Sequence, residues 1–136
     1  MKEEYLRFLC CPECASDLLL EIFFIENRKI KEGKLTCKSC RASYLIRNFI
    51  PRFVSTKGYA ESFGSQWNEF ARVQLDDSVT RESELRFDSE IGWNQDRLEG
   101  KTVLEVGSGA GRFIDLISSR AAKLMVGVDV TTAVDA

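Results

Sequence analysis

The sequence predicts an α/β chain: a small β-rich module followed by the first β-α-β unit of a parallel sheet. Three observations predict it. Two Cys-x-x-Cys pairs, Cys11-Pro12-Glu13-Cys14 and Cys37-Lys38-Ser39-Cys40, bracket a segment with the apolar pattern of a hairpin. The run Val103-Leu104-Glu105-Val106 leads into Gly107-Ser108-Gly109-Ala110-Gly111 and then into helical periodicity. A second β-branched run, 124–130, carries Asp129, 22 residues after Gly107.

Composition limits what such a chain can do. Its 136 residues suit one ordinary domain or two small ones. Apolar residues make up 44% and charged residues 29%, the balance of a globular protein. A net charge of −2 exerts no pull toward nucleic acid, although Arg41, Arg47 and Arg52 lie close in sequence. No apolar run approaches the roughly 20 residues that span a bilayer, so no membrane is indicated. The start, Met1-Lys2-Glu3-Glu4-Tyr5, lacks an apolar signal core, and a cytoplasmic location is expected. There is no histidine, which excludes a histidine base or ligand.

The first module is expected over 1–56. Cys11, Cys14, Cys37 and Cys40 offer four thiolates in two pairs with 22 residues between them. Zinc prefers four tetrahedral thiolates at about 2.3 Å, and a two-residue spacer lets both sulfurs of a pair face one ion. Between the pairs, 18–25 reads as one strand, Glu26-Asn27-Arg28 as a turn, and 29–36 as a returning strand broken by Gly33. A hairpin with such a knuckle at each end is a zinc ribbon. Four thiolates fill the coordination sphere, so the expected Zn2+ is structural. A redox pair, disulfides or another metal are the competing uses. Cys10 is expected to be a small buried hydrophobe. Ser43-Tyr44-Leu45-Ile46 reads as a third strand, and Pro51 imposes an extended exit on Ile50.

Leu9-Cys10-Cys11-Pro12-Glu13-Cys14, Cys37-Lys38-Ser39-Cys40, Tyr44-Leu45-Ile46 and Ile50-Pro51 together resemble the small zinc-ribbon family typified by the activator subunit of tRNA and protein methyltransferases. The resemblance implies a platform that covers an apolar surface of a methyltransferase, here fused in cis.

A connecting segment is expected over 57–100. Tyr59, Phe63, Trp67, Phe70 and Gln74 fall at helical spacing and suit docking on a neighbouring domain or closure over a ligand. A second helix is expected over 80–91, with Leu85, Phe87 and Ile91 as its apolar contacts and a solvated charged face. Gly92-Trp93-Asn94 and Glu99-Gly100-Lys101 read as turns.

The third part is expected over 101–136. Its first strand should be buried on both faces. The glycines permit a tight turn and close approach to a ligand, and the helix after them offers free N–H groups. Phe113, Ile114, Leu116 and Ile117 form its expected buried side, with Asp115 and Arg120 outside. A dinucleotide fingerprint would place its third glycine where Arg112 stands.

The pattern Glu-x-Gly-x-Gly-x-Gly, with Asp129 after the second strand, instead resembles class I S-adenosylmethionine-dependent methyltransferases carrying an N-terminal ribbon. The resemblance implies an incomplete Rossmann-like sheet, truncated after its second strand, and methyl transfer from S-adenosylmethionine. It implies that Glu105 orients the cofactor ammonium, that Gly107, Ser108, Gly109 and Gly111 line its methionine and ribose, and that Asp129 accepts the ribose hydroxyls. A structural contact for Glu105 and a strand-end turn or helix cap for Asp129 are the plainer roles. No catalytic base can be named. The methyl acceptor is expected to be a small molecule or a glycan-type substrate. The alternatives are a zinc-ribbon interaction module with a vestigial methyltransferase half-domain, and a ribbon that binds nucleic acid.

Overall fold

A computed structural model describes residues 1–55, 70, 75–76, 79–93 and 95–136. The expected aromatic helix stripe, apart from Phe70, lies outside the described residues. The chain divides into two compact units, Met1–Ser55 and Thr56–Ala136.

The first unit opens with a 3-10 turn, Glu3–Phe8, followed by four antiparallel strands in the order β1-β2-β3-β4. They are β1 Leu18–Glu26, β2 Lys29–Cys37, β3 Ser43–Arg47 and β4 Ile50–Arg52. Both tight connections use two residues in the left-handed region: Asn27 and Arg28 at φ 50° and 60°, then Asn48 and Phe49 at 48° and 69°. Two positive-φ residues match the right-handed twist of the flanking strands. Leu18, Ile30, Leu35 and Ile46 form the core with Cys11 and Cys37.

Gly33 does not break β2. It lies inside the strand opposite Ile22, and a Cβ there would stand 2.7 Å from the Glu21 carbonyl oxygen. The glycine therefore admits a close backbone approach where the β1–β2 register shifts, between Ile22 and Ile25. The exit segment pairs as a fourth strand, with Pro51 opposite Ile46 on the sheet edge, where its missing N–H costs no ladder bond.

The second unit contains helix α1 Glu82–Glu90, a one-turn helix α2 Gln95–Leu98, strand β5 Thr102–Val106, helix α3 Arg112–Ser118 and strand β6 Leu124–Val128. A 3-10 turn, Thr132–Asp135, closes it. β5 and β6 pair in parallel, Val103 opposite Met125 and Glu105 opposite Gly127. Phe87, Leu98, Val103 and Ile117 are its buried apolar centre.

Several expectations change here. Of the three apolar contacts expected of α1, only Phe87 is buried; Leu85 and Ile91 face solvent. Leu98, between the two expected turns and given no role there, is a core residue on α2. β5 is not buried on both faces: Leu104 is 61% and Val106 79% exposed. Among the described residues this sheet has two strands, so only the face toward α3 is covered. Arg120 is not on an open outer face. It pairs with Asp88 at 2.6 Å and lies over the Phe87 ring. Among the described residues no helix is long and apolar enough to cross a membrane.

Candidate metal centre and glycine turn

The first unit brings its four knuckle cysteines together. The sulfurs of Cys11, Cys14, Cys37 and Cys40 all lie within 4.8 Å of one another. Cys11 and Cys40 are 3.6 Å apart, Cys14 and Cys37 3.5 Å. A tetrahedron with arms of about 2.3 Å has edges of about 3.8 Å, so this spacing fits one zinc-sized ion. It does not fit disulfides, whose sulfurs stand about 2.05 Å apart. All five cysteines are free thiols. Cys10 is exposed, not buried: Cys11 turns inward to the cluster and leaves its neighbour outside.

Local backbone builds each knuckle. Ala15 N–H donates to the Cys11 carbonyl at 2.8 Å and Cys11 N–H to the Ser16 carbonyl at 2.9 Å. Cys37 N–H donates to the Ala42 carbonyl at 2.8 Å. Each second cysteine is followed by a left-handed residue, Ala15 at φ 57° and Arg41 at φ 65°. The reversal turns N–H groups inward: Ser39 and Cys40 N–H both point to Cys37 Sγ at 3.4 Å. Tyr44 Oη lies 3.4 Å from Cys11 Sγ.

The electrostatics call for a cation. Hydrogen bonds from the Ser16 hydroxyl and main chain, with Cys37 next, draw the Cys14 thiol down to about 6. The Tyr44 hydroxyl lowers Cys11. The Ala42 main chain favours the Cys40 thiolate, yet Cys37, desolvation and the other two sulfurs push its thiol up to about 12. Four thiolates this close cannot all ionise unless a cation compensates them.

In the second unit the predicted residues also meet, in a different arrangement. Asp129 is already engaged by neighbouring groups. Its Oδ2 accepts from Gly109 N–H at 2.8 Å, and its Oδ1 accepts from Thr131 N–H and Oγ1, both at 2.7 Å. Burial alone would raise this carboxyl, but the Thr131 and Gly109 bonds hold it below its usual value. Ser108 is buried, and Gly107, Gly109 and Gly111 all adopt positive φ. Gly111 is the left-handed N-cap of α3. Glu105 sits beneath the turn. Burial pushes its carboxyl up against one bond from Ile114 N–H, and its Oε2 has no hydrogen-bond partner among the described residues.

Sequence reasoning missed Asp76. Its two carboxylate oxygens accept from Ser83 and Glu84 N–H, both at 2.9 Å, capping α1 from outside the helix. It precedes the helix by six residues, beyond the local spacing of a capping signature.

The geometry of the first unit defines a small four-cysteine, antiparallel β-domain. Residues 2–48 match the sequence model of the Trm112p-like protein family. Among solved structures, one match is a chain of the complex between the Haloferax volcanii Trm112 methyltransferase activator and the proposed methyltransferase. It is 33% identical over 40% of this chain and 93% of its own length, with a TM-score of 0.38. No curated protein matches the chain.

These findings correct four expectations. The chain is not identified as an S-adenosylmethionine-dependent methyltransferase, because the family model it matches is that of Trm112p-like proteins. The expected methyl-transfer activity is withdrawn with that identification, since the sequence match lies with the Trm112p-like family. The expectation of an enzyme loses its basis with that match. The expected small-molecule or glycan-type acceptor is withdrawn with it; in the Haloferax complex the Trm112 chain is bound to a protein. S-adenosylmethionine as a cofactor loses its support with them.

Proposed function

We propose that the first unit is a zinc-stabilised interaction module that docks on a methyltransferase and supports its activity. The match over residues 2–48 carries this reading. The four-sulfur cluster supports a structural Zn2+ held by Cys11, Cys14, Cys37 and Cys40, in the manner of a ribbon. Such a metal stabilises a module whose core contains only a few aliphatic side chains.

The docking surface is the far end of the β1–β2 hairpin. Phe23, Phe24 and Ile25 are each more than half exposed, where the register shift turns consecutive side chains outward. Three neighbouring large apolar residues at the tip of an edge strand suit burial against a protein surface.

The second unit is read as part of a Rossmann-like sheet, with 57–100 as connecting segment and 101–136 as its β-α-β part. Glu105, Gly107, Ser108, Gly109, Gly111 and Asp129 stand as candidate ligand contacts there. The unpartnered Glu105 Oε2 supports that role, while the bonds on Asp129 favour a structural one. A cytoplasmic location is part of the same reading.

The test is reconstitution. The purified chain is used as bait in extract of its own cells, and recovered methyltransferases are purified and recombined with it. A methyltransferase that binds the chain and gains activity or solubility supports the reading. Recovered methyltransferases that neither bind the purified chain nor respond to it contradict it.

A further inference from the structure

We propose that Tyr44 is a positioning residue of the metal centre, its hydroxyl donating a hydrogen bond to the Cys11 sulfur. The proposal rests on the four-cysteine metal site above. The Oη–Sγ distance is 3.4 Å, within reach for a sulfur acceptor. A metal-bound thiolate has no proton to give, so the phenol must be the donor.

Cys11 depends on donors supplied by the protein. It is almost completely buried, at 1% exposure, so water contributes little to its sulfur. Main-chain N–H groups serve both buried ligands, Ser39 and Cys40 at Cys37 and Glu13 and Cys14 at Cys11. For Cys11 the Tyr44 hydroxyl is the side-chain donor, and a donor on a ligand withdraws charge from the sulfur and fixes its orientation.

Tyr44 is itself held in place. It stands on β3 opposite Leu35, which is fully buried on β2. Its ring packs on Phe53 with centroids 5.0 Å apart and planes inclined at 56°. The phenol thus joins the sheet to the first knuckle, while β2 itself ends in Cys37 of the second.

The experiment compares the full-length wild type with Tyr44→Phe, which keeps the ring and deletes the hydroxyl. Zinc affinity is measured by competition with a chromophoric chelator, and alkylation of Cys11 by iodoacetamide is followed by mass spectrometry. Loss of an outer-shell partner should weaken zinc binding about 10-fold or more and speed Cys11 alkylation. Tyr5→Phe, whose ring lies under Lys2 Nζ and whose hydroxyl is no ligand's donor among the described bonds, should change neither. An unaltered affinity and alkylation rate in Tyr44→Phe overturn the proposal. A wild type that purifies without metal removes the metal site itself, and this appears before any variant is compared. If Tyr44→Phe does not fold, NMR of the cadmium-113-loaded wild type decides. A Tyr44 hydroxyl proton coupled to the metal supports the bond; one that exchanges freely with water overturns it.

Discussion

Gly109 N–H donates to Asp129 Oδ2 at 2.8 Å, so the carboxylate at the end of β6 closes the glycine turn at the end of β5. With Thr131 on the other oxygen, this acid staples two loops that the parallel pairing already brings side by side. Its folded pKa lies below the ordinary value, so its contribution is present above that value and fades as pH falls through the folded one. Asp129→Ala should lower the stability of the second unit by about 1 kcal/mol at neutral pH. Thermal unfolding as a function of pH checks this: the difference from wild type should shrink toward pH 3.

Glu105 has the opposite sign. Its folded pKa is raised by burial, so the protonated acid is accommodated at low pH and the ionised form is disfavoured as pH rises. Glu105→Gln should therefore raise the melting temperature at neutral pH, with the gain disappearing below the ordinary carboxylate range. A gain at both pH values would point to packing instead.

The four-sulfur cluster makes the first unit depend on metal. Cys37→Ser removes a buried ligand at the end of β2. The variant should retain less than the wild type's zinc and lose the dispersed amide spectrum of the first unit. Zinc binding to small four-ligand domains contributes about 10–16 kcal/mol, more than such a core can replace. Chelator added to the wild type should produce the same spectrum.

The turn between β1 and β2 carries strain that can be relieved. Arg28 stands at φ 60° without hydrogen bonds that would require arginine there. Arg28→Gly creates Asn-Gly, the preferred pair for this turn type, and should stabilise the first unit by about 1 kcal/mol. Denaturant unfolding of the zinc-loaded chain measures it.

Features set by local chemistry were legible before any coordinates. The cysteine pairs declared one site because a two-residue spacer determines how two sulfurs can converge. The hairpin and the strand–glycine–helix order followed from residue pattern alone. What depended on neighbours was misjudged. Gly33 read as a break, whereas the nearby Glu21 carbonyl explains it. Leu104 and Val106 read as core, but burial needs a covering layer that the strand's own sequence does not encode. The bonds from Gly109 and Thr131 to Asp129 could not be read from the sequence, because they arise only once the turn has closed. The glycine pattern also outweighed the cysteine pattern in suggesting an activity, although the family match falls on residues 2–48.

The central claim is that this chain supports a methyltransferase instead of transferring methyl groups itself. A methyl-transfer assay with labelled S-adenosylmethionine tests it most directly, run on the recovered methyltransferase with the wild-type chain and with Phe24→Asp. Phe24 is exposed at the hairpin tip, so the substitution should leave the fold and its zinc intact. The account predicts that the wild-type chain raises the methyltransferase's rate and that Phe24→Asp does not. Methyl transfer by the chain alone, or equal stimulation by the wild type and Phe24→Asp, would contradict it.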